Sequence, residues 1–176
     1  MHEHTDNLTK MIARFTAQRA CIDQAARELA NIPSPVLDIG LGKARTYDRM
    51  RYVFPQREIY TFELEIHCPK ELTPPEERIF HGDVHETLPM ARDRFGRKVA
   101  LAHADIGSFD PERDHDLFNF IASMLNAMLV NGAIVMSDRV FPDPIGERIP
   151  QPEGTEAWTY YMYRAPSRKT KTSARQ

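Results

Sequence analysis

The sequence predicts an α/β protein built on a single doubly wound, mostly parallel sheet, with an extra helix ahead of it. Three observations carry that prediction. Short apolar runs alternate with amphipathic segments from residue 35 onward, which implies right-handed crossovers and helices on both faces of the sheet. The first run, PVLDIG at 35–40, ends in glycine. An acid also closes each successive run, at Asp38, Glu63, Asp83, Asp105 and Asp138. Ligands of such sheets sit beyond the carboxyl ends of the strands, so this row of acids is where function is sought.

The elements follow in order. From about Asp6 to Ala30, Leu8, Phe15, Ile22 and Leu29 recur seven apart, with Met11, Ile12 and Ala26 filling the same stripe. That is one face of an amphipathic helix, packed on the sheet or on a second subunit. Gln18 interrupts the stripe and Arg14 and Arg19 flank it, which puts polar groups near a ligand or near a buried partner. Pro33 and Pro35 stop the helix. Strand 35–40 precedes a helix from Arg45 to Phe54, closed by Pro55; EIYTFEL (58–64) is the second strand. A proline-rich connection at 69–75 leads to RIFHGDV (78–84), then to a short helix from His85 to Phe95 ending at Gly96. KVALAHADI (98–106) is a fourth, buried strand. In the next helix Asp110 or Ser108 can cap and Pro111 fits the first turn, with Asn131-Gly132 as its left-handed stop. AIVMSD (133–138) is strand five, and a proline-rich stretch at 142–152 leads to AWTYYMYR (157–164), a last strand.

The expected organisation is one domain over 1–165, with the helix in 1–32 and the core in 35–165. A basic tail follows at 166–176, carrying Arg168, Lys169, Lys171 and Arg175. A formal net charge of −2 gives no reason to expect nucleic acid or an anionic membrane as the main partner. No secretory signal or membrane-length apolar run is visible, and Cys21 and Cys68 have no CxxC spacing. Free thiols in a reducing cytoplasm are expected. With no separate substrate domain, the ligand pocket is expected to form from the first helix and the 139–156 segment, with a neighbouring subunit as a further contributor in a homo-oligomer.

The strand ends carry the chemistry. In Asp38-Ile39-Gly40-Leu41-Gly42-Lys43-Ala44-Arg45 two glycines let a ligand approach the backbone. The dinucleotide pattern GxGxxG fails at Arg45, and GxxxxGK[ST] fails at Leu37 and Ala44. Asp38 would repel a pyrophosphate but suits a cationic ligand. Glu63, with two acceptor oxygens, can hold both hydroxyls of a ribose; Glu65 competes for that role. Asp83 can accept from an exocyclic amine. His103 and Asp105, two apart on a strand, share one face.

Taken in order, PVLDIGLGKA, IYTFEL, FHGDV, ALAHADIG and NGAIVMSD resemble the motifs of class I S-adenosylmethionine-dependent methyltransferases over roughly 35–140. The chain is most similar to small bacterial members with a helix ahead of the first motif. That resemblance implies a Rossmann-like fold with strand order 3-2-1-4-5-7-6 and S-adenosyl-L-methionine as cofactor. It implies that Asp38, Gly40 and Gly42 line the methionine part, that Glu63 holds the ribose, and that Asp83 and Val84 flank the adenine. Asp105 would stand near the transferred methyl, and a small molecule would accept it. His103, the only neutral-pH base at a strand end, is the candidate base, with Asp105 beside it. Ala44 replaces the third glycine of many members, and the short segment after strand five implies a reduced strand six. Asp105 with Asp138 is similar to the metal-binding pair of catechol-type O-methyltransferases, but Arg139 stands where those enzymes carry asparagine, so no metal is expected. Two other functions fit less well: a catalytically silent cofactor-binding module, and an NAD-type oxidoreductase opposed by the missing glycine and by Asp38.

Overall fold

The computed structural model describes residues 5–108, 110–142 and 145–167. The tail residues 168–176 lie outside them. Helix α1 spans Asn7–Glu28, capped by Asp6, whose carboxylate accepts the Thr9 N–H. The sheet then builds as β1 (Val36–Ile39), α2 (Arg45–Val53), β2 (Ile59–Glu63), β3 (Ile79–His81), α3 (Val84–Phe95), β4 (Val99–Ala104), α4 (Pro111–Met128), β5 (Leu129–Ser137), β6 (Glu147–Ile149) and β7 (Tyr161–Arg164). These seven strands form one sheet in the order β3-β2-β1-β4-β5-β7-β6, the order the resemblance implies. The first five pair in parallel, and β7 is antiparallel to both β5 and β6.

Strand alternation sorts side chains to two cores. Leu37 and Ile39 face one side, with Leu88 and Ala91 of α3 and Phe118 and Ile121 of α4. Val36 faces the other, with Ile22 and Ala25 of α1 and Tyr47 and Met50 of α2. Asp38 alternates with Leu37 and Ile39, so it lies on the α1 face. Its position there decides what the site becomes.

The structure departs from the sequence reading in three places. The seven-residue stripe of α1 is buried only in its second half: Ile22 and Leu29 are covered, but Leu8, Met11, Ile12 and Phe15 are exposed. The first turns leave those four side chains at the surface, while the turns from Ala17 onward pack into the second core. Asn131-Gly132 does not stop α4, which ends at Met128; both residues lie within β5, where pairing with β4 shifts between Val99 and Leu101. An irregular ladder absorbs the turn-forming pair. The last strand begins at Tyr161 rather than Ala157, and the proline-rich 142–152 stretch contains the three-residue β6. The connection at 69–75 folds into a short 3-10 turn at Lys70–Leu72, followed by another at Glu76–Arg78.

Candidate functional site

The turn after β1 is shaped by its backbone. Gly40 has φ +94° and Gly42 φ +50°. A Cβ on Gly40 would overlap the Asp105 carbonyl and the Ile106 side chain, so only glycine lets the β1 turn nest against the β4 turn. Ala44, at φ +60°, holds the left-handed conformation a third glycine would take and caps α2 without a side-chain hydrogen bond.

Glu63, the last residue of β2, ties the two turns together. Its Oε2 accepts the Gly42 N–H at 2.7 Å and its Oε1 the Leu64 N–H at 3.0 Å. Asp83 caps α3, accepting the His85 N–H at 2.8 Å and meeting the His85 ring at the same distance. That backbone N–H, and then the ring contact, hold the Asp83 carboxyl below the usual range. Glu63, Asp83 and Val84 line one cavity of about 530 Å³, walled on its far side by Gly107, Ser108 and the first turns of α4. That volume falls within the roughly 300–1,000 Å³ of small-ligand sites. Glu65 is exposed beside His67 and takes no part in the lining.

The wall is fixed by Asp114, which accepts the Ser108 N–H at 2.6 Å and pairs with Arg139. The Ser108 N–H, helped by Arg139, holds the Asp114 carboxyl below its ordinary range. Arg139 packs its guanidinium against Gly107 and over the Phe118 ring. Sequence reasoning assigned Arg139 only as a departure from a metal motif and did not find Asp114 at all. The spacing of Asp114 from Ser108 carried no signal.

A second cluster lies on the α1 face, beside the cavity rather than in it. The parallel register pairs Asp38 with His103. Both are fully buried, with Asp38 Oδ1 at 2.6 Å from His103 Nδ1. Burial pushes the Asp38 carboxyl up, against the pull of His103. Burial also opposes a charged imidazole, but the hydrogen bond and charge of Asp38, with Asp105 and Asp138 beyond, outweigh it and raise His103. The pair titrates as a unit. The Oδ2 of Asp38 is buried without a partner among the described residues.

Gln18 closes this cluster from α1. Its Nε2 lies 3.5 Å from His103 Nε2, donates to Asp105 Oδ2 at 2.9 Å, and donates to the Tyr160 hydroxyl at 3.4 Å. Gln18 is therefore the buried, hydrogen-bonded partner that the interrupted stripe allowed, while Arg19 is exposed. Arg14, one turn earlier, reaches Asp105 at 2.5 Å and Asp138 at 3.7 Å. Sequence reasoning placed Arg14 only at the stripe's flank. Its four-residue spacing from Gln18 was the available signal, because that spacing puts both on one helix face. Asp105 and Asp138 do come together as their motif suggested, and what lies between them is the Arg14 guanidinium. Burial, reinforced by the Asp105 charge, pushes the Asp138 carboxyl up. Among the described residues no group of three or more His, Cys, Asp or Glu side chains could hold a metal.

Comparison with known proteins identifies the family and the fold. Residues 5–165 match the S-adenosyl-L-methionine methyltransferase family. A crystal structure of an S-adenosyl-L-methionine methyl transferase from Silicibacter pomeroyi DSS-3 is 33% identical, with a TM-score of 0.85 over 92% of this chain and 99% of that one. MycE, a methyltransferase of the mycinamycin biosynthetic pathway solved with Mg and S-adenosylhomocysteine, shares the fold at 16% identity and a TM-score of 0.53, over 94% of this chain and 50% of that one. A search of curated proteins found no match. The chain belongs to the S-adenosyl-L-methionine methyltransferase family, with S-adenosyl-L-methionine as its cofactor.

Proposed function

We propose that this chain transfers the cofactor's methyl group to a small-molecule acceptor. The observation that carries the reading is the single cavity that gathers Glu63, Asp83 and Val84 from two strand ends beside the glycine turn. The residues fit the cofactor. Glu63 would hold the ribose diol, Asp83 and Val84 would flank the adenine, and Gly40 and Gly42 would leave backbone room for the methionine chain. The partnerless Oδ2 of Asp38 offers an acceptor for the α-ammonium. When bound, the sulfonium supplies an activated methyl carbon, so the protein's work is positioning.

Asp105 and Asp138 mark the methyl end. His103 is fully buried, with its Nε2 behind Gln18, which supports a positioning role through Asp38 in place of direct contact with an acceptor. An NAD-type dehydrogenase is disfavoured by the family match and by the absence of a third glycine. The two free thiols, Cys21 and Cys68, suit a cytoplasmic protein, and no described helix is long and apolar enough to cross a membrane.

Calorimetry of S-adenosylhomocysteine binding tests the reading. Loss of charge-assisted hydrogen bonds to the ribose in Glu63→Ala should weaken binding by about 10- to 100-fold, from roughly 1.5–3 kcal/mol. Glu65→Ala should bind like wild type. Equal affinities in Glu63→Ala and wild type would remove Glu63 from the site.

A further inference from the structure

A second cavity lies at the other end of the strands. Ile59, the first residue of β2, lines it, whereas Glu63, the last, lines the cofactor cavity, and the two cavities share no residue. It measures about 450 Å³, again within the roughly 300–1,000 Å³ of small-ligand sites. Its walls come from α2, the turn into β2, the 69–75 connection and the residue before β3. Arg51, Arg57 and Arg78 all line it, against Glu71 as the acid of the lining. In a chain of formal net charge −2, three guanidiniums around one hollow are a local surplus of positive charge.

The guanidiniums are held by groups that leave their charge in place. Arg51 lies over the Tyr47 ring at 5.7 Å and Arg57 over the Phe54 ring at 5.1 Å. Arg57 also donates to the carbonyls of Ser34, at 3.3 Å, and Leu29. Among the described residues neither forms an ion pair, and Arg78 meets only Glu58, at 3.9 Å. Tyr47 adds a neutral donor. It lines the cavity and is only 3% exposed, yet among the described residues its hydroxyl forms no hydrogen bond. Burial pushes that hydroxyl up, against the pull of the Arg51 and Arg78 charges, so it stays protonated. A covered, unpaired hydroxyl beside charges without close counter-ions is a donor set left for a ligand.

The donors state the ligand's class. A carboxylate is planar and is filled by one guanidinium fork, whereas a phosphate monoester has three acceptor oxygens and about two negative charges to share among several donors. The cavity is larger than a free phosphate needs, and Phe54 and Ile59 give it buried apolar wall. We propose that this cavity is a second ligand site, which binds a phosphate monoester: Arg51, Arg78 and the Tyr47 hydroxyl hold the phosphate, and the organic group lies against Phe54 and Ile59. Arg57, fixed on two carbonyls, adds its charge from the wall. Because the two cavities share no residue, this assignment is independent of the cofactor reading.

Calorimetry on the full chain tests this with phenyl phosphate, inorganic phosphate and benzyl alcohol, each with and without S-adenosylhomocysteine. Phenyl phosphate should bind about tenfold tighter than either other probe, with the same affinity whether or not S-adenosylhomocysteine is present. Arg51→Gln and Arg78→Gln should each weaken it about tenfold, and Tyr47→Phe about threefold. Arg92→Gln, the same change of charge outside the cavity, should leave it unchanged. A cooperative thermal melt shows that each variant folds, and Arg51, being exposed, is the substitution that least disturbs the core. Displacement of phenyl phosphate by S-adenosylhomocysteine would put it in the cofactor cavity and overturn the assignment. So would wild-type affinity in both Arg51→Gln and Arg78→Gln, an equal loss in Arg92→Gln, inorganic phosphate binding as tightly as phenyl phosphate, or no binding at about 10 mM.

Discussion

Gly40→Ala is expected to lower the melting temperature by about 4–20 °C and to abolish detectable S-adenosylhomocysteine binding. The new Cβ would overlap the Asp105 carbonyl and Ile106 from a backbone at φ +94°. Overpacking costs about 1–3 kcal/mol and the left-handed conformation about 1–2 more, and each kcal/mol is worth roughly 2–4 °C in a chain of this size. Relief requires the β4 turn to move, and that turn carries Gly107 and Ser108 into the cavity wall. Gly42→Ala is the internal contrast. Its Cβ would meet nothing within 4 Å, so only the backbone term of about 1–2 kcal/mol applies. Thermal melts of both variants, with and without ligand, check the pair. Similar losses in the two would mean that the close approach of the β1 and β4 turns is not what Gly40 secures.

Asp38→Ala is expected to cost about 3–5 kcal/mol, because it leaves His103 buried and unpaired. Replacing both partners with leucine should restore much of that loss, since an apolar pair leaves no orphaned charge. The sign of the pH dependence follows from the two shifts. Both Asp38 and His103 are raised, so the folded state binds more protons than the unfolded chain. The His103 contribution is fully present below its unfolded value of about 6.5 and is lost as pH rises through its higher folded value. Denaturant melts across pH should therefore show wild type losing part of its advantage over Asp38→Ala on the alkaline side. Nuclear magnetic resonance titration of His103 should give a value above that of free histidine in wild type and a lower one in Asp38→Asn. A wild-type His103 titrating at or below the free value would contradict the pairing.

Much of the fold was legible in local chemistry. The glycine after PVLDI, Asp110 before Pro111, and Gly96 after α3 each satisfy a terminus with residues adjacent in sequence, so they read correctly without tertiary knowledge. Asn131-Gly132 misled for the opposite reason. Its turn preference is overridden by pairing of β5 with a strand some thirty residues earlier. The stripe on α1 was periodic over its whole length, but periodicity reports amphipathicity and not what lies beneath. Only the second half of the stripe is buried.

The site divides along the same line. Glu63 and Asp83 meet in one cavity because strand ends of a parallel sheet converge by topology alone, which the sequence pattern already implies. The Asp38–His103 pair needed the β1–β4 register, and Arg14 on Asp105 needed the docking angle of α1. Neither is encoded in any window of the sequence. The consequence is specific: His103, the candidate base, is buried against Asp38, and the helix ahead of the sheet brings Arg14 to Asp105 and Asp138.

The most direct test of the central claim is titration calorimetry of wild type with S-adenosyl-L-methionine and S-adenosylhomocysteine, using NAD and ATP as controls. One site per chain, filled by the two cofactor forms and by neither control, is the predicted result. Binding of NAD with comparable affinity, or no heat from either cofactor form while the protein remains folded, would contradict the assignment of the Glu63–Asp83 cavity to S-adenosyl-L-methionine.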